Sequence, residues 1–179
     1  MKKTRICTLT IVARPSEWDI LHIALAPKLK RLCKGRLTFP GGRVEETDSS
    51  IQSANKRELE EEFGIRPEHG GELSFSGIIR LFIGKSAKKP SIIIHVFWLI
   101  DHEYKYRIKT NDELGRPRWF KLRRMPWKRM MPADRFWFRS ALASLLTGLR
   151  FREDIWYNKR KTKVLRAECH PFFNNEHVC

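Results

Sequence analysis

No run of 18 or more apolar residues occurs in the chain, so nothing in it reads as a helix crossing a membrane. Its four cysteines, Cys7, Cys33, Cys169 and Cys179, form no C-x-x-C pair and follow no regular spacing. That excludes an obvious disulfide framework and points to a reduced, cytoplasmic thiol set. A zinc site built from Cys169, His170, His177 and Cys179 is disfavoured, because an adjacent Cys and His cannot easily aim at one metal. Internal repeats and low-complexity tracts are missing as well. Met1-Lys2-Lys3 is basic, but Thr4 to Ala13 alternates and carries Arg5, unlike the core of a signal peptide. Acids are scarce: 20 Asp and Glu stand against 36 Lys and Arg, for a formal net charge of +16. Such a field favours polyanionic partners, nucleotides and RNA among them. With 179 residues and 41% apolar content, the chain can build one domain with a full core.

Periodicity and turn residues mark the elements. Thr4 to Ala13 and Trp18 to Ala26 read as strands separated by Arg14-Pro15-Ser16. Arg36 to Phe39 is a short extended piece stopped by Pro40 and Gly41-Gly42. A helix follows, with Ser49 as N-cap, Gln52 completing a capping box, and Gly64 as the stop. Glu72 to Ile83 and Ser91 to Ile100 read as strands, the second apolar enough for burial on both faces. Arg116 to Leu122 is a further short strand, and Asp134 to Leu146 a second helix ended by Gly148. Residues 1 to 149 are expected to form the folded domain. Residues 150 to 179 lose clear periodicity and are expected as a basic C-terminal extension or tail.

The most informative segment is Arg57-Glu58-Leu59-Glu60-Glu61-Glu62, closed by Gly64. On a helix, Glu58, Glu61 and Glu62 stand at i, i+3 and i+4, within an arc of about 100°. Like charges so placed repel by a few tenths of a kcal/mol per pair, a cost that a bound hard cation such as Mg²⁺ or Mn²⁺ offsets. Hydrolysis of a phosphoanhydride needs negative charge neutralised and a water activated, and clustered carboxylates with a metal do both. His95, inside an apolar strand, reads as a core histidine.

At these residues the chain resembles the Nudix hydrolases, whose signature is G-x5-E-x7-R-E-U-x-E-E-x-G-U, with U a bulky apolar residue. Arg57-Glu58-Leu59-x-Glu61-Glu62-x-Gly64-Ile65 matches every fixed position of the second half. The first half fits with one extra residue, and Asp48 or Ser49 stands where the outlying Glu belongs. Leu37-Thr38-Phe39-Pro40-Gly41-Gly42, Ile94 to Phe97, Arg116 to Phe120 and Asp134 to Phe138 extend the similarity to the MutT-like branch that acts on oxidised purine nucleoside triphosphates. The resemblance implies an α/β (α+β) fold: an α/β/α sandwich, with a mixed sheet between helices. It implies Glu58, Glu61, Glu62 and the Gly42 carbonyl as metal ligands for Mg²⁺ or Mn²⁺. Arg57 would orient the carboxylates, and Glu113 would add a loop carboxylate as a ligand or base.

The same resemblance places Thr8, Thr38, Met131 and Asp134 in the substrate pocket. Thr38 stands where that branch has Asn, Met131 where it has a stacking Trp, and Ala133 replaces one of two paired acids. Losing the aromatic platform and a hydrogen-bonding group weakens selection for an oxidised purine. As an alternative, Asp134 is an N-cap of its helix. The expected reaction is hydrolysis of a nucleoside triphosphate to monophosphate and pyrophosphate. Between Arg116 and Arg166 the chain has 16 Lys or Arg against Asp134, Glu153 and Asp154, interleaved with aromatics. That surplus supports an alternative, action on RNA 5′ ends with RNA held by the basic C-terminal third. A noncatalytic nucleic-acid-binding protein on the same fold is a second alternative, opposed by the intact glutamate cluster.

Overall fold

A computed structural model describes residues 3–15, 21–29, 35–67, 73–109 and 113–173. Eight strands, β1 (Arg5–Arg14), β2 (His22–Pro27), β3 (Leu37–Thr38), β4 (Leu73–Ile83), β5 (Ile92–Ile100), β6 (Arg118–Lys121), β7 (Arg150–Tyr157) and β8 (Val164–Phe173), form one sheet. The order is β3-β2-β1-β5-β4-β7-β8, and β6 pairs with β2. The β1–β5 and β4–β7 pairs are parallel and the rest antiparallel. The sheet is therefore mixed, as expected. Two helices cover it, α1 (Ile51–Phe63) and α2 (Asp134–Thr147).

Side-chain alternation along β1 assigns the two faces. Thr10 and Val12 point towards α1, where the Thr10 hydroxyl donates to Asn55 Oδ1 at 2.9 Å and Val12 packs with Leu59 and Phe63. Ile11 and Ala13 point the other way, into the larger core with Trp98, Trp137, Phe138 and Ala141. The Trp98 indole N–H donates to the Ala141 carbonyl at 3.1 Å and fixes α2 on that face. The completely buried Leu59 and Phe63 anchor α1, so its glutamates are carried to the rim of the sheet.

Three expectations need correction. Helix α1 is capped by Ser50, one residue later than expected: Ser50 Oγ accepts from Ser53 N at 3.0 Å, and Ser53 Oγ accepts from Ser50 N at 2.9 Å. Ser49 stays in the preceding turn, because the Asp48 carboxylate beside it is tied to Arg57. Residues 150 to 173 are not a tail but β7 and β8, and Phe151, Ile155 and Tyr157 lie in the larger core. Asp134 is not the N-cap of α2. That position is Ala133, and the Asp134 carboxylate instead accepts from Met131 N at 3.1 Å from within the first turn. Trp18 to Ile20, Glu72, Cys33 and the His177 and Cys179 of the zinc alternative lie outside the described residues. Cys169 and His170 diverge, the thiol meeting Ser140 Oγ at 3.6 Å and the imidazole lying 3.0 Å from Asp154. His95 is buried beside Phe75, and burial holds its pKa below the ordinary value. Among the described residues no helix is long and apolar enough to cross a membrane.

Candidate active site

The strip from Pro40 to Val44 lies along the N-terminal half of β1. Thr10 N donates to Pro40 O at 2.9 Å, Thr8 N to Gly42 O at 2.8 Å, and Val44 N to Ile6 O at 3.0 Å. Both glycines are demanded by close approach. Gly41 has φ +148°, and a Cβ there would stand 2.7 Å from Leu9 Cα and closer still to the Thr8 carbonyl. At Gly42 a Cβ would stand 2.5 Å from the Glu58 carboxyl carbon and closer to both carboxylate oxygens. The missing side chains thus let the backbone touch the acids of α1.

Those acids differ in environment. Glu62 is only 4% exposed, and one of its carboxylate oxygens accepts from Gly41 N at 2.7 Å. Burial pushes its pKa up to about 7, helped by the negative charges of Glu58 and Glu113 and opposed by the Gly41 hydrogen bond and Lys28. Burial also raises Glu58; Arg57 opposes this, while Glu61 and Glu113 add to it. The Glu61 side chain is 56% exposed and reaches Arg57 at 3.1 Å. Glu113 acts on both Glu58 and Glu62 because its loop is pinned to the end of β2: Leu29 N donates to Glu113 O at 2.9 Å, and Gly115 N to Pro27 O at 2.8 Å.

Arg57 organises the rim. Its Nε and one terminal nitrogen donate to the two Asp48 oxygens at 3.1 and 3.0 Å, and that same nitrogen donates to Arg43 O at 3.0 Å. The other terminal nitrogen bridges Glu58 at 3.0 Å and Glu61 at 3.1 Å. Hydrogen bonding to Asp48 raises the Arg57 pKa and depresses that of Asp48. Asp48, rather than Ser49, therefore answers Arg57 across the lengthened loop. Among the described residues no three acids, cysteines or histidines converge at ligating distance, because Arg57 holds Glu58 and Glu61 while Gly41 holds Glu62. The donor set nevertheless fits a hard divalent cation: all-oxygen, clustered, and with Glu58 and Glu62 both destabilised as anions by desolvation and by neighbouring carboxylates.

The NUDIX domain family model matches residues 8–141, most of the chain. The chain is a Nudix hydrolase. It is 30% identical over 142 residues to the oxidized purine nucleoside triphosphate hydrolase of Mus musculus, covering 77% of this chain and 80% of that protein. The Danio rerio protein of the same name is 29% identical over 139 residues, with the same shares covered. Among solved structures, a MutT protein from Bacillus halodurans superposes with a TM-score of 0.69 at 22% identity, covering 92% of this chain and 97% of that one. Together these make it a MutT-like member of the family.

In this Nudix hydrolase the expected pocket residues fall in two places. Arg36 donates to Met130 O at 2.6 Å and Leu37 bridges Met130 in parallel, which sets Thr38 beside Met131. The Thr38 hydroxyl donates to Phe39 O at 3.2 Å. Asp134 is 7% exposed and accepts from the Trp137 indole N–H at 3.2 Å; burial pushes its pKa up to about 7. Thr8, 2% exposed, shares the α1 face with Thr10, and its hydroxyl is buried without a partner among the described residues. Its side chain is therefore separated by the sheet from Asp134.

Three contributors were not apparent from sequence. Lys28 lowers the Glu62 pKa from the end of β2, and Arg36 does the same for Asp134. The Tyr157 hydroxyl accepts from Ala133 N at 3.1 Å, closing the turn that holds Met131 and Asp134. Lys28 and Arg36 stand in no motif. Tyr157 was hidden with the rest of β7, although its alternation with Phe151 and Ile155 is a signal that a strand reading would have used.

Proposed function

We propose that this Nudix hydrolase cleaves a nucleoside triphosphate between its α- and β-phosphates, yielding monophosphate and pyrophosphate, with Mg²⁺ or Mn²⁺ bound. Water adds to one phosphorus, the bridging oxygen leaves with the other fragment, and the water proton passes to a carboxylate. The observation that carries the reading is the meeting of Glu58 and Glu62 with the Gly41-Gly42 backbone, beside Glu61 and Glu113. Glu58, Glu61 and Glu62 would hold the cation. Gly42 O gives one lone pair to Thr8 N–H and has a second to offer. When bound, the cation neutralises phosphate charge and lowers the pKa of a ligated water. Glu113 is assigned as the proton acceptor, and Arg57 keeps Glu58 and Glu61 aligned through its anchor on Asp48. Lys28 supplies a cation near Glu62 for the phosphates.

The substrate is assigned as a nucleoside triphosphate, in keeping with the names of the mouse and zebrafish relatives. Thr38, Met131 and Asp134 would line the base, with Thr8 behind the Gly41-Gly42 strip. With Met131 in place of an aromatic platform and Ala133 in place of an acid, discrimination for an oxidised purine should be weaker than in that branch. Purified protein incubated with ordinary and 8-oxo nucleoside triphosphates, with and without Mg²⁺ or Mn²⁺, should release pyrophosphate only with metal. Absence of pyrophosphate from every nucleotide in both metals would overturn the assignment.

A further inference from the structure

A cleft of about 830 Å³ opens at the end of the sheet where β1 and β5 begin and β4 and β7 end. Five cations line it, Lys3, Arg5, Lys89, Lys159 and Lys161, over a floor that includes Ile83. Its volume lies inside the range of about 300–1,000 Å³ typical of ligand sites. Among the described residues none of the five cations forms an ion pair with a carboxylate. Concentrating five like charges in one concavity without acids costs stability unless a polyanion shares the space.

Position relates the cleft to the catalytic rim. Arg5 lies three residues before Thr8, whose N–H holds Gly42, so along β1 the cleft starts about 10 Å from the carboxylates. A second, smaller depression, lined by Lys3, Arg5 and Arg43 together with Glu45 and Glu46, continues towards Gly42. Lys3, Arg5, Lys159 and Lys161 all lie outside the residues 8–141 that match the family model. Four of the five cations thus come from this chain's N-terminus and its β7–β8 hairpin, on either side of the matched segment. The basic stretch from 116 to 166 does not form one surface: Lys128, Arg129, Arg135 and Arg139 line a separate groove beside Trp127.

We infer that this cleft holds the phosphodiester backbone of a single-stranded RNA whose 5′-triphosphate occupies the carboxylate site. The inference rests on the pyrophosphohydrolase reading and extends its substrate from free nucleotides to RNA ends; the bond cleaved and the pyrophosphate released are the same. A nucleoside triphosphate alone is too short to engage both the rim and five cations beyond it. A membrane surface is the poorer partner, because the cleft is concave and none of the exposed large apolar side chains, such as Trp127 or Leu146, lines it.

The test compares the full-length wild type with Lys159→Ala/Lys161→Ala, using fluorescence anisotropy with a short single-stranded RNA bearing a 5′-hydroxyl, and separate pyrophosphate assays. Five phosphate contacts give a slope near −3.5 in log K against log salt, so binding should weaken about 100-fold between roughly 50 and 200 mM salt. Removing two contacts should weaken binding about 25-fold at about 0.1 M salt and flatten the slope by about 1.4. Release of pyrophosphate from free nucleoside triphosphate should stay within about twofold of wild type, while release from 5′-triphosphorylated RNA falls with the affinity. Equal RNA binding by the two proteins overturns the inference while leaving the nucleotide reading intact. Tighter, Lys159- and Lys161-dependent binding to phosphatidylserine vesicles than to RNA also overturns it. Failure of the wild type to hydrolyse any triphosphate sinks the underlying catalytic reading, and the 5′-hydroxyl binding arm still reports on the cleft by itself.

Discussion

Replacing Gly42 with alanine should disable turnover while leaving the protein folded. Gly42 is not in the left-handed region, so alanine strains no backbone dihedral there. The new Cβ would instead stand 2.5 Å from the Glu58 carboxyl carbon, where ordinary contact begins at 3.4 Å. The carboxylate must therefore retreat by about 1 Å, since interiors do not absorb such overlap. Displacing a catalytic group by that amount costs about 100-fold, or about 2.7 kcal/mol of transition-state stabilisation. The stability cost should be smaller, about 1 kcal/mol. The reason is that the Glu58 side chain, 12% exposed, sits at the rim and can swing outward. Steady-state pyrophosphate release and thermal melting together read the two effects: kcat should collapse while the melting temperature moves by a few degrees. A kcat in Gly42→Ala equal to wild type would refute the claim that the Gly42–Glu58 approach builds the site.

Other consequences follow from the same geometry. Without divalent metal, Glu62, with its pKa pushed up to about 7, holds a proton that the unfolded chain releases near its ordinary value of 4.5. Its contribution to stability is thus present below pH 4.5 and is lost as pH rises to about 7. Urea melts of Glu62→Gln should therefore show a gain over wild type at about pH 7.5, on the order of a few kcal/mol, and none at about pH 4.5. Arg57→Lys loses the paired contact with Asp48 and should lower kcat/KM about tenfold and stability by about 1–2 kcal/mol, measured by the same assays. Tyr157→Phe leaves the Ala133 N–H without its acceptor and should cost about 1–3 kcal/mol in denaturant melts.

The parts of the fold that sequence revealed are those where one periodicity rules. Strands β1, β4 and β5 and helix α1 have long apolar patterns with glycine or proline stops, and the glutamates of α1 were readable because helical spacing alone groups them. The strand β7 was missed because it buries charge. Glu153 and Asp154 lie in the middle of Arg150–Tyr157 and are almost fully buried. Glu153 accepts from Ser140 Oγ at 2.6 Å, and Asp154 pairs with Arg80 and His170. Each partner is distant in sequence, so the residues look like surface charge until the sheet is assembled. The Ser50 cap was misplaced for a similar reason: Arg57 fixes the preceding turn through Asp48, nine residues away, an effect that local propensity does not contain. Lys28 and Arg36 belong to the site only through the return of the chain at β2 and β3.

The most direct test of the carboxylate platform is pyrophosphate release from nucleoside triphosphate as Mn²⁺ or Mg²⁺ is titrated, in wild type, Glu61→Gln and Glu62→Gln. The structure predicts metal-dependent turnover in the wild type and a loss of about 100-fold or more in Glu62→Gln, with Glu61→Gln also strongly impaired and both variants folded. Wild-type turnover in both variants at every metal concentration would contradict it, and would place the chemistry away from the Gly41-Gly42 rim.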